Sequence, residues 1–279
     1  MTDRIDSFTR AGLTFGVIDA GPVDGAPVVL LHGFPQRATS WSKVSEHLHA
    51  AGMRTYAPDQ RGYSPGARPR GRRPYRVEEL RDDIVALVER IGSPVHLVGH
   101  DWGSVVAWAV AAERPDLVSS LTAVSVPHPG AFLASMVRST QALKSWYMLL
   151  FNVPKVVETA AVRRPALMEG ALRRAGMTRE MVATFREEIV ADGALRGGLG
   201  WYRALPLSDL RTGSRKVKVP TTLVWSTGDI ALGRKGAELT ERYVTGPYRL
   251  EVLEGVSHWI PDEEPARLAQ AIIARAGGA

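Results

Sequence analysis

The sequence predicts an α/β fold: a mostly parallel, doubly wound sheet that is interrupted by one block of helices. Short apolar runs bounded by turn residues alternate with segments whose apolar residues recur at helical spacing. Such runs are typical of strands buried on both faces, and their alternation with helices is typical of a parallel sheet. The alternation stops near Pro127, where helix-forming sequence begins, and it resumes at Thr221.

The individual elements follow from the same patterns. Residues 76–92 are predicted to form a helix, because their apolar residues recur at helical spacing. The segment ends on Gly92, and glycine is favoured just beyond a helix C-terminus. The strands are expected at residues 13–21, 26–33, 54–59, 94–99, 121–127, 221–227 and 248–255. The helices outside the helical block are expected at about residues 40–51, 76–92, 102–115, 234–243 and 262–275.

The chain of 279 residues is long enough for one large α/β domain with an insertion. We expect residues 1–127 to form the first part of an α/β core and residues 212–279 to form the second part. Residues 128–211 are rich in Leu, Met, Arg and Ala and carry no strand signal, so we expect them to form a helical cap.

Composition limits the class of protein. The chain has no cysteine, which excludes disulfides and thiolate chemistry. It begins without an apolar leader segment and contains no run near 18 apolar residues, so we expect a cytoplasmic protein with no membrane partner. The net charge is +6, and the basic run RPRGRRPYR at 68–76 is interpreted as a solvated loop, so no nucleic-acid partner is expected. A monomer and a homodimer both fit.

No cofactor or metal is expected. The chain lacks a G-x-G-x-x-G or Walker-type loop. Among the seven histidines only His96 and His100 have H-x-x-x-H spacing, and they fall on an expected strand and its closing turn. That spacing brings two ligands together on a helix, but it does not do so on a strand.

The sequence VGHDWG at residues 98–103 has the form of a nucleophile elbow with Asp101 at its centre. It joins an expected strand to an expected helix, which is the context that an elbow requires. The N–H groups at the start of that helix favour the ionised carboxylate. Taken alone, Asp101 fits a helix N-cap as well as it fits a nucleophile.

Two backbone N–H groups are expected to form an oxyanion hole beside Asp101. The sequence LLHGFPQ at residues 30–36 follows a buried strand, and a loop there can offer the N–H of Phe34. Trp102, one residue beyond the nucleophile, would supply the second donor. By itself, the pair His32 and Gly33 also fits an ordinary turn at the end of a strand.

Asp229 and His258 complete the pattern, since each stands in a loop that follows an expected late strand. The chain order of nucleophile, acid and histidine is that of α/β-hydrolase triads. A carboxylate that attacks an sp³ carbon gives an alkyl ester, which water can hydrolyse. His258 would deprotonate that water, and Asp229 would orient the imidazole. The leaving group would be a halide or an epoxide oxygen.

An epoxide oxygen leaves as a basic alkoxide and needs a proton donor such as tyrosine. Tyr147, in SWYMLLF, and Tyr202, in GGLGWYR, lie in the expected cap, although both also fit packing residues. Over nearly its whole length the chain resembles the α/β-hydrolase-fold epoxide hydrolases. HGFP, GHDWG, the late GD and SHW occur in that family's order, and WYMLLF and WYR resemble its two cap-tyrosine segments. The resemblance implies the α/β-hydrolase fold, and it implies that Tyr147 and Tyr202 donate to the epoxide oxygen.

The chain departs from that family's pattern at two places. Gln36 stands where the family often has glutamate, and DQRGYS at residues 59–64 replaces the usual D-x-R-G-x-G. Asp59 and Arg61 are interpreted as structural, so neither departure touches a chemical step.

The leading hypothesis is a cofactor-free epoxide hydrolase that converts a small apolar epoxide and water into a vicinal diol. The first alternative is a haloalkane dehalogenase with the same nucleophile, although such enzymes typically carry a polar residue where Phe34 stands. The second alternative is a non-catalytic ligand-binding protein on a hydrolase scaffold. The residues expected to contact the substrate are Phe34, Trp102, Trp146, Leu150, Phe151 and Trp259.

Overall fold

The computed structural model describes residues 4–209 and 215–278. Its centre is one eight-stranded sheet. The strands are β1 (Ser7–Arg10), β2 (Leu13–Ala20), β3 (Ala26–Leu31), β4 (Met53–Pro58), β5 (Val95–His100), β6 (Val118–Val124), β7 (Thr221–Ser226) and β8 (Tyr248–Leu253). Their order across the sheet is β1-β2-β4-β3-β5-β6-β7-β8.

Strands β3 to β8 pair in parallel, while β2 lies antiparallel to β4 and β1 lies antiparallel to β2. Every residue of β4 and of β7 is buried, because helices cover both faces of the sheet. The predicted fold class, a mostly parallel doubly wound sheet, is confirmed.

Strand β1 is not predicted by the sequence. Its four residues, SFTR, alternate between buried and exposed and form no apolar run. The strand pairs with β2 across a tight turn in which Ala11 and Gly12 both have positive φ, at 50° and 75°. Pairing with β2 therefore makes this segment a strand, and no local sequence pattern predicts that pairing.

The helices cover the sheet and extend beyond one of its edges. They are α1 (Ser42–Ala50), α2 (Val77–Ile91), α3 (Trp102–Glu113), α4 (Pro129–Arg138), α5 (Gln141–Lys144), α6 (Trp146–Asn152), α7 (Val156–Arg163), α8 (Pro165–Arg174), α9 (Arg179–Thr184), α10 (Leu195–Ala204), α11 (Arg234–Leu239), α12 (Ile260–Glu263) and α13 (Pro265–Gly277). Helix α2 ends at Gly92 in the left-handed conformation, with φ 83°, as its sequence predicts.

Two apolar clusters hold the layers together. One cluster joins α2 and α3 to one face of the sheet, and the other joins α1 and α13 to the opposite face. Trp41 and Trp108, each 1% exposed, are among the largest buried side chains and lie in different clusters. This two-sided burial fixes the carboxyl ends of β3, β5, β6, β7 and β8 along one edge of the sheet.

The predicted helix at residues 262–275 is two helices in the structure. Helix α12 ends at Glu263, and α13 starts afresh with Pro265 in its first turn. Proline cannot donate the backbone hydrogen bond that a continuous helix would need at this position, so the chain breaks there. The predicted helix at residues 234–243 likewise changes from α-helix to a 3₁₀ turn at Thr240.

Helices α4 to α10 lie between β6 and β7, with one π-helical turn at Phe185–Ala191. They form the block that the sequence predicts as a cap. Its predicted end at residues 211–212 lies outside the described residues, so the three-segment division stays a prediction. Among the described helices, none combines the length and the apolar character that crossing a membrane requires.

Candidate active site

Asp101 occupies the sharp turn between β5 and α3. Its φ of 52° and ψ of −121° place it in a region that non-glycine residues rarely adopt. The turn is possible because α3 approaches β3 closely at Gly103, where a Cβ would lie 2.0 Å from the carbonyl oxygen of Leu31. The strained turn lifts the carboxylate out of the sheet and places it at the start of the helix.

The loop after β3 brings two backbone donors to this carboxylate. The N–H of Phe34 donates to Oδ1 of Asp101 over 2.8 Å, and the N–H of Trp102 helps to lower the pKa of the same carboxyl. Gly33 makes the approach possible, because a Cβ there would lie 2.4 Å from the Cβ of Asp101. These are the two N–H groups that the sequence predicts as an oxyanion hole.

The loops after β7 and β8 bring Asp229 and His258 to the same place. Oδ2 of Asp229 lies 2.7 Å from Nδ1 of His258, and Oδ1 accepts from the N–H groups of Ala231 and Leu232 at 2.7 and 2.8 Å. Nε2 of His258 lies 3.6 Å from Oδ2 of Asp101. The imidazole therefore stands between two buried carboxylates.

The charges of these groups stabilise one another. Burial alone would raise the pKa of Asp101, but His258 and the N–H of Trp102 hold it below its usual range. Burial alone would lower the pKa of His258, but the Asp229 and Asp101 carboxylates raise it to about 10. At neutral pH the site thus holds an imidazolium between two carboxylates.

A cavity of about 180 Å³ opens onto Asp101. Tyr147 from α6 and Tyr202 from α10 line it together with Trp102, and the ring centres of the two tyrosines lie 6.3 Å apart. Burial and the negative charge of Asp101 raise the pKa of both phenols, so both are protonated at neutral pH. The other residues that line the cavity are mostly apolar: Val77, Val105, Ala109, Val126, Pro129, Phe132, Leu133, Met148, Leu205, Ser208, Asp209 and Leu232.

The structure brings some of the predicted substrate-binding residues to this cavity and not others. Trp102 lines it, while Phe34 and Phe151 pack behind Tyr202, with ring centres 5.4 and 4.9 Å away. Leu150 lies on the outward face of α6, 38% exposed.

Trp146 and Trp259, also predicted to contact the substrate, do not line the cavity. Trp146 is 64% exposed, because one face of α6 carries Tyr147 and Phe151 inward and turns Trp146 to solvent. Trp259 is buried beneath the cap, where its indole N–H donates to the carbonyl of Ala175 at 2.9 Å. Residues that are adjacent in sequence thus end on different surfaces.

A backbone clamp holds His258, and the sequence does not predict it. Nε2 of His100 lies 2.9 Å from the carbonyl oxygen of His258, and the hydroxyl of Ser125 donates to the same oxygen over 3.2 Å. The hydroxyl of Ser226 donates to the neighbouring carbonyl of Ser257 over 2.7 Å. Burial lowers the pKa of His100 to about 4, so this ring is neutral. The sequence signal that could identify these donors is their position, since His100, Ser125 and Ser226 stand at the ends of strands β5, β6 and β7.

The residues interpreted as structural lie in ion pairs. Arg61 binds Asp83 through two hydrogen bonds of 2.7 Å, and Arg37 and the N–H of Ala38 bind Asp59. Gln36, one of the departures from the family pattern, donates to Asp262 over 2.8 Å. Within residues 4–209 and 215–278, no cluster of three or more acidic or histidine side chains has the arrangement of a metal site.

Comparisons with known proteins agree with this architecture. Residues 26–265 match the family model described as alpha/beta hydrolase fold, so the chain belongs to that family. Within it, the chain groups with the epoxide hydrolases. It is 30% identical to epoxide hydrolase A of Mycobacterium tuberculosis over 94% of both chains. It is also 38% identical to the AB hydrolase superfamily protein YfhM of Bacillus subtilis, again over 94% of both chains.

A solved structure gives the same result. The crystal structure of epoxide hydrolase A from Mycobacterium thermoresistibile superposes with a TM-score of 0.84 and 27% sequence identity. The alignment covers 98% of this chain and 97% of that chain. The resemblance stated from the sequence motifs is therefore confirmed at the level of family, and the protein is a hydrolase.

The charge coupling between Asp101 and His258 is testable. Replacing Asp101 by Asn removes one of the two carboxylates beside the imidazole, so the pKa of His258 should fall by about 1–3 units. Nuclear magnetic resonance of histidine-labelled protein measures this, with the His258 signal assigned from a His258→Gln variant. The exposed Asp24→Asn change should leave the pKa where it was. An unchanged His258 pKa in Asp101→Asn would show that the two groups do not interact.

Proposed function

We propose that this protein is a cofactor-free epoxide hydrolase that converts a small apolar epoxide into a vicinal diol. One observation carries the proposal: the Asp101 carboxylate and two protonated tyrosines line the same apolar cavity. A carboxylate can attack a saturated carbon, and the phenols can protonate the oxygen that leaves. The epoxide hydrolases among its relatives support the same conclusion.

The first step is ring opening. Oδ1 of Asp101 is held by the N–H of Phe34, so Oδ2 is the oxygen available for attack. Oδ2 forms a bond to one epoxide carbon while that carbon's bond to the ring oxygen breaks. Tyr147 or Tyr202 transfers its proton to the ring oxygen, which leaves a phenolate and an alkyl ester of Asp101. His258 has no role in this step, because the nucleophile is already ionised.

The second step is hydrolysis of the ester. Water attacks the Cγ atom of Asp101, and the developing negative charge on Oδ1 lies where Phe34 already donates, with the N–H of Trp102 as the expected second donor. His258 accepts a proton from this water and returns it to the departing diol oxygen. The second proton of the water is released when Asp101 becomes a carboxylate again, and it restores the tyrosine. The sum is one epoxide plus one water giving one diol.

The charge state of His258 can change with the step. In the resting site two carboxylates hold it protonated, which is the wrong state for a base. Alkylation turns Asp101 into a neutral ester and leaves Asp229 as the single close carboxylate. The pKa of His258 then falls, so the imidazolium releases its proton to solvent and the neutral imidazole can accept a proton from the attacking water. Alkylation of Asp101 thereby converts His258 into the form that can act as a base. His258 takes a proton back from solvent when Asp101 becomes a carboxylate again.

The covalent intermediate is the direct test of the reaction. A His258→Gln variant should open the epoxide but fail to hydrolyse the ester. Intact-protein mass spectrometry should then show an adduct equal to the whole mass of the epoxide, because ring opening loses no atom. Peptide mapping should place that adduct on Asp101.

The same experiment separates the alternatives. A haloalkane dehalogenase would accumulate an adduct that lacks the halogen when given haloalkanes, and would show none with epoxides. A ligand-binding protein would show neither adduct. The control is His258→Gln combined with Asp101→Asn, used freshly purified because slow deamidation restores the acid; it should carry no adduct.

The tyrosine donors have their own test. Replacing both Tyr147 and Tyr202 by Phe keeps the apolar surface but removes both proton donors, so ring opening should slow by at least about 10²-fold. Single-turnover kinetics of ester formation measures this step alone. Tyr243→Phe, on a tyrosine that stacks on His128, is the matched control and should keep the native rate. A double variant that opens epoxides at the native rate would disprove the donor assignment.

The clamp on His258 should affect only the second step. Ser125 has φ 67°, so Ser125→Gly removes the hydroxyl without adding backbone strain. A loosened imidazole should slow ester hydrolysis by roughly 10-fold or more and leave ring opening unchanged. Both kcat and KM should therefore fall, because the ester accumulates. A variant in which both steps keep their native rates would mean that this hydroxyl only supports the loop.

A further inference from the structure

The outer face of α6 is apolar although it faces solvent. Trp146, Leu149, Leu150 and Val153 follow one another at helical spacing, and Trp146 and Leu149 are 64% and 76% exposed. The opposite face of the same helix carries Tyr147 and other side chains toward the cavity. Solvent-facing helix surfaces are normally polar, so this face is suited to a partner.

The apolar face continues over the neighbouring helices. Helices α4 to α8 pack on one another in chain order, each against the next. Of the 14 exposed large hydrophobic residues in the described part of the chain, nine lie in residues 137–167. Besides those on α6 and Val153, they are Val137, Leu143, Val156, Val162 and Leu167. We call this segment the outer cap surface. Such a concentration exceeds the scattered exposure that is ordinary for a monomer.

The outer cap surface is also positively charged. Its exposed basic residues are Arg138, Lys155, Arg163 and Arg164, while Lys144 points inward and donates to the carbonyl of Asp229 over 3.0 Å. Its one acidic residue, Glu158, is bound by the guanidinium of Arg203 at 2.7 and 3.1 Å. An excess of cations around exposed Trp, Leu and Val is the composition of a surface that lies on a membrane.

A basic pocket stands directly beside the apolar residues. It has a volume of about 510 Å³ and is lined by Lys155, Arg163, Arg196 and Arg203, with Glu158 as its acid. Within residues 4–209 and 215–278, the side chains of Lys155 and Arg163 form no ion pair. Val162 both lines this pocket and is 70% exposed. An anionic headgroup in the pocket would therefore leave its acyl chains against the apolar face.

The charge distribution argues against a second copy of the chain as the partner. A two-fold symmetric dimer places the same patch of both copies face to face. Here that arrangement would oppose four exposed basic residues with the same four, and the one acidic residue is already paired. An anionic surface has the complementary charge, and a lipid surface also accepts the apolar side chains.

We propose that the outer cap surface docks the protein onto anionic phospholipid membranes. Trp146 and Leu149 enter the interface, and Lys155 and Arg163 bind phosphate groups. This is attachment to one leaflet and needs no membrane-spanning helix. It departs from the expectation of no membrane partner, which rested on the lack of a long apolar run. If the proposed function holds, α6 would connect a lipid phase, in which apolar epoxides concentrate, to the cavity on its inner face.

Vesicle sedimentation tests the proposal. Asp101→Asn protein should sediment with phosphatidylcholine vesicles that contain phosphatidylglycerol, and it should stay in solution with phosphatidylcholine alone or with inorganic phosphate. Because this variant cannot turn over the proposed substrate, the result does not depend on the proposed function. Trp146 gives a second readout, since the other six tryptophans are at most 5% exposed. Acrylamide quenching of tryptophan fluorescence should fall when anionic vesicles are added.

Paired variants locate the surface. Lys155→Gln with Arg163→Gln should weaken binding by about 30-fold, at about 1 kcal/mol for each cation near an anionic membrane. Trp146→Ser with Leu149→Ser should abolish the change in quenching and weaken sedimentation. Arg242→Gln with Arg267→Gln, on exposed cations outside the cap, and Ile18→Ser, on an exposed apolar residue of β2, should bind as the parent does. Circular dichroism confirms that each variant is folded.

Three results would overturn the proposal. The first is a parent protein that stays in solution with anionic vesicles. The second is that the control substitutions weaken vesicle binding as much as the substitutions on the outer cap surface do. The third is a dimer in gel filtration that Trp146→Ser with Leu149→Ser dissociates, since this would assign the surface to a second copy of the chain.

Discussion

A buried carboxylate that must stay ionised is the constraint on which this site depends. Transfer of such a charge from water costs several kcal/mol unless nearby groups compensate for it. Asp101 obtains that compensation from the N–H groups of Phe34 and Trp102, from the start of α3 and from the imidazolium of His258. The close packing at Gly33 and Gly103 follows from the same need, because only there can the loop and the helix come near enough.

The same set of charges explains why one histidine can serve the proposed reaction. His258 stabilises the nucleophile while it is protonated, and it becomes a base once the nucleophile has lost its charge. This double use requires the imidazole to keep its position through both steps. The carbonyl clamp from His100 and Ser125 supplies that fixation through the backbone. The ends of several parallel strands thus contribute to a single orientation.

Helices α4 to α10 are fixed to the core that holds these charges. Lys144 on α5 donates to the carbonyl of Asp229 over 3.0 Å, and Gln141 binds the loop at Ala231 and Gly233. The cap is therefore anchored on the acid loop, which places the tyrosines of α6 and α10 opposite Asp101. Helix α6 carries chemistry on its inner face and an apolar, cation-flanked surface on its outer face. The two faces let one short helix serve the cavity and the proposed membrane contact.

The sequence by itself determined the layered α/β fold and singled out Asp101, Asp229, His258, Tyr147 and Tyr202 for the candidate site. Buried strands, amphipathic helices and turn glycines leave local periodic patterns, and the elbow at Asp101, the acid at Asp229 and His258 occur at strand ends that those patterns locate. Only the tertiary structure decided which faces of the elements meet. Strand β1 exists because β2 pairs with it, Trp146 faces outward because Tyr147 faces inward, and Trp259 is covered by the cap. The donors to the carbonyl of His258 come from strands far apart in the chain, and contacts of that kind are set by packing, which no single segment encodes.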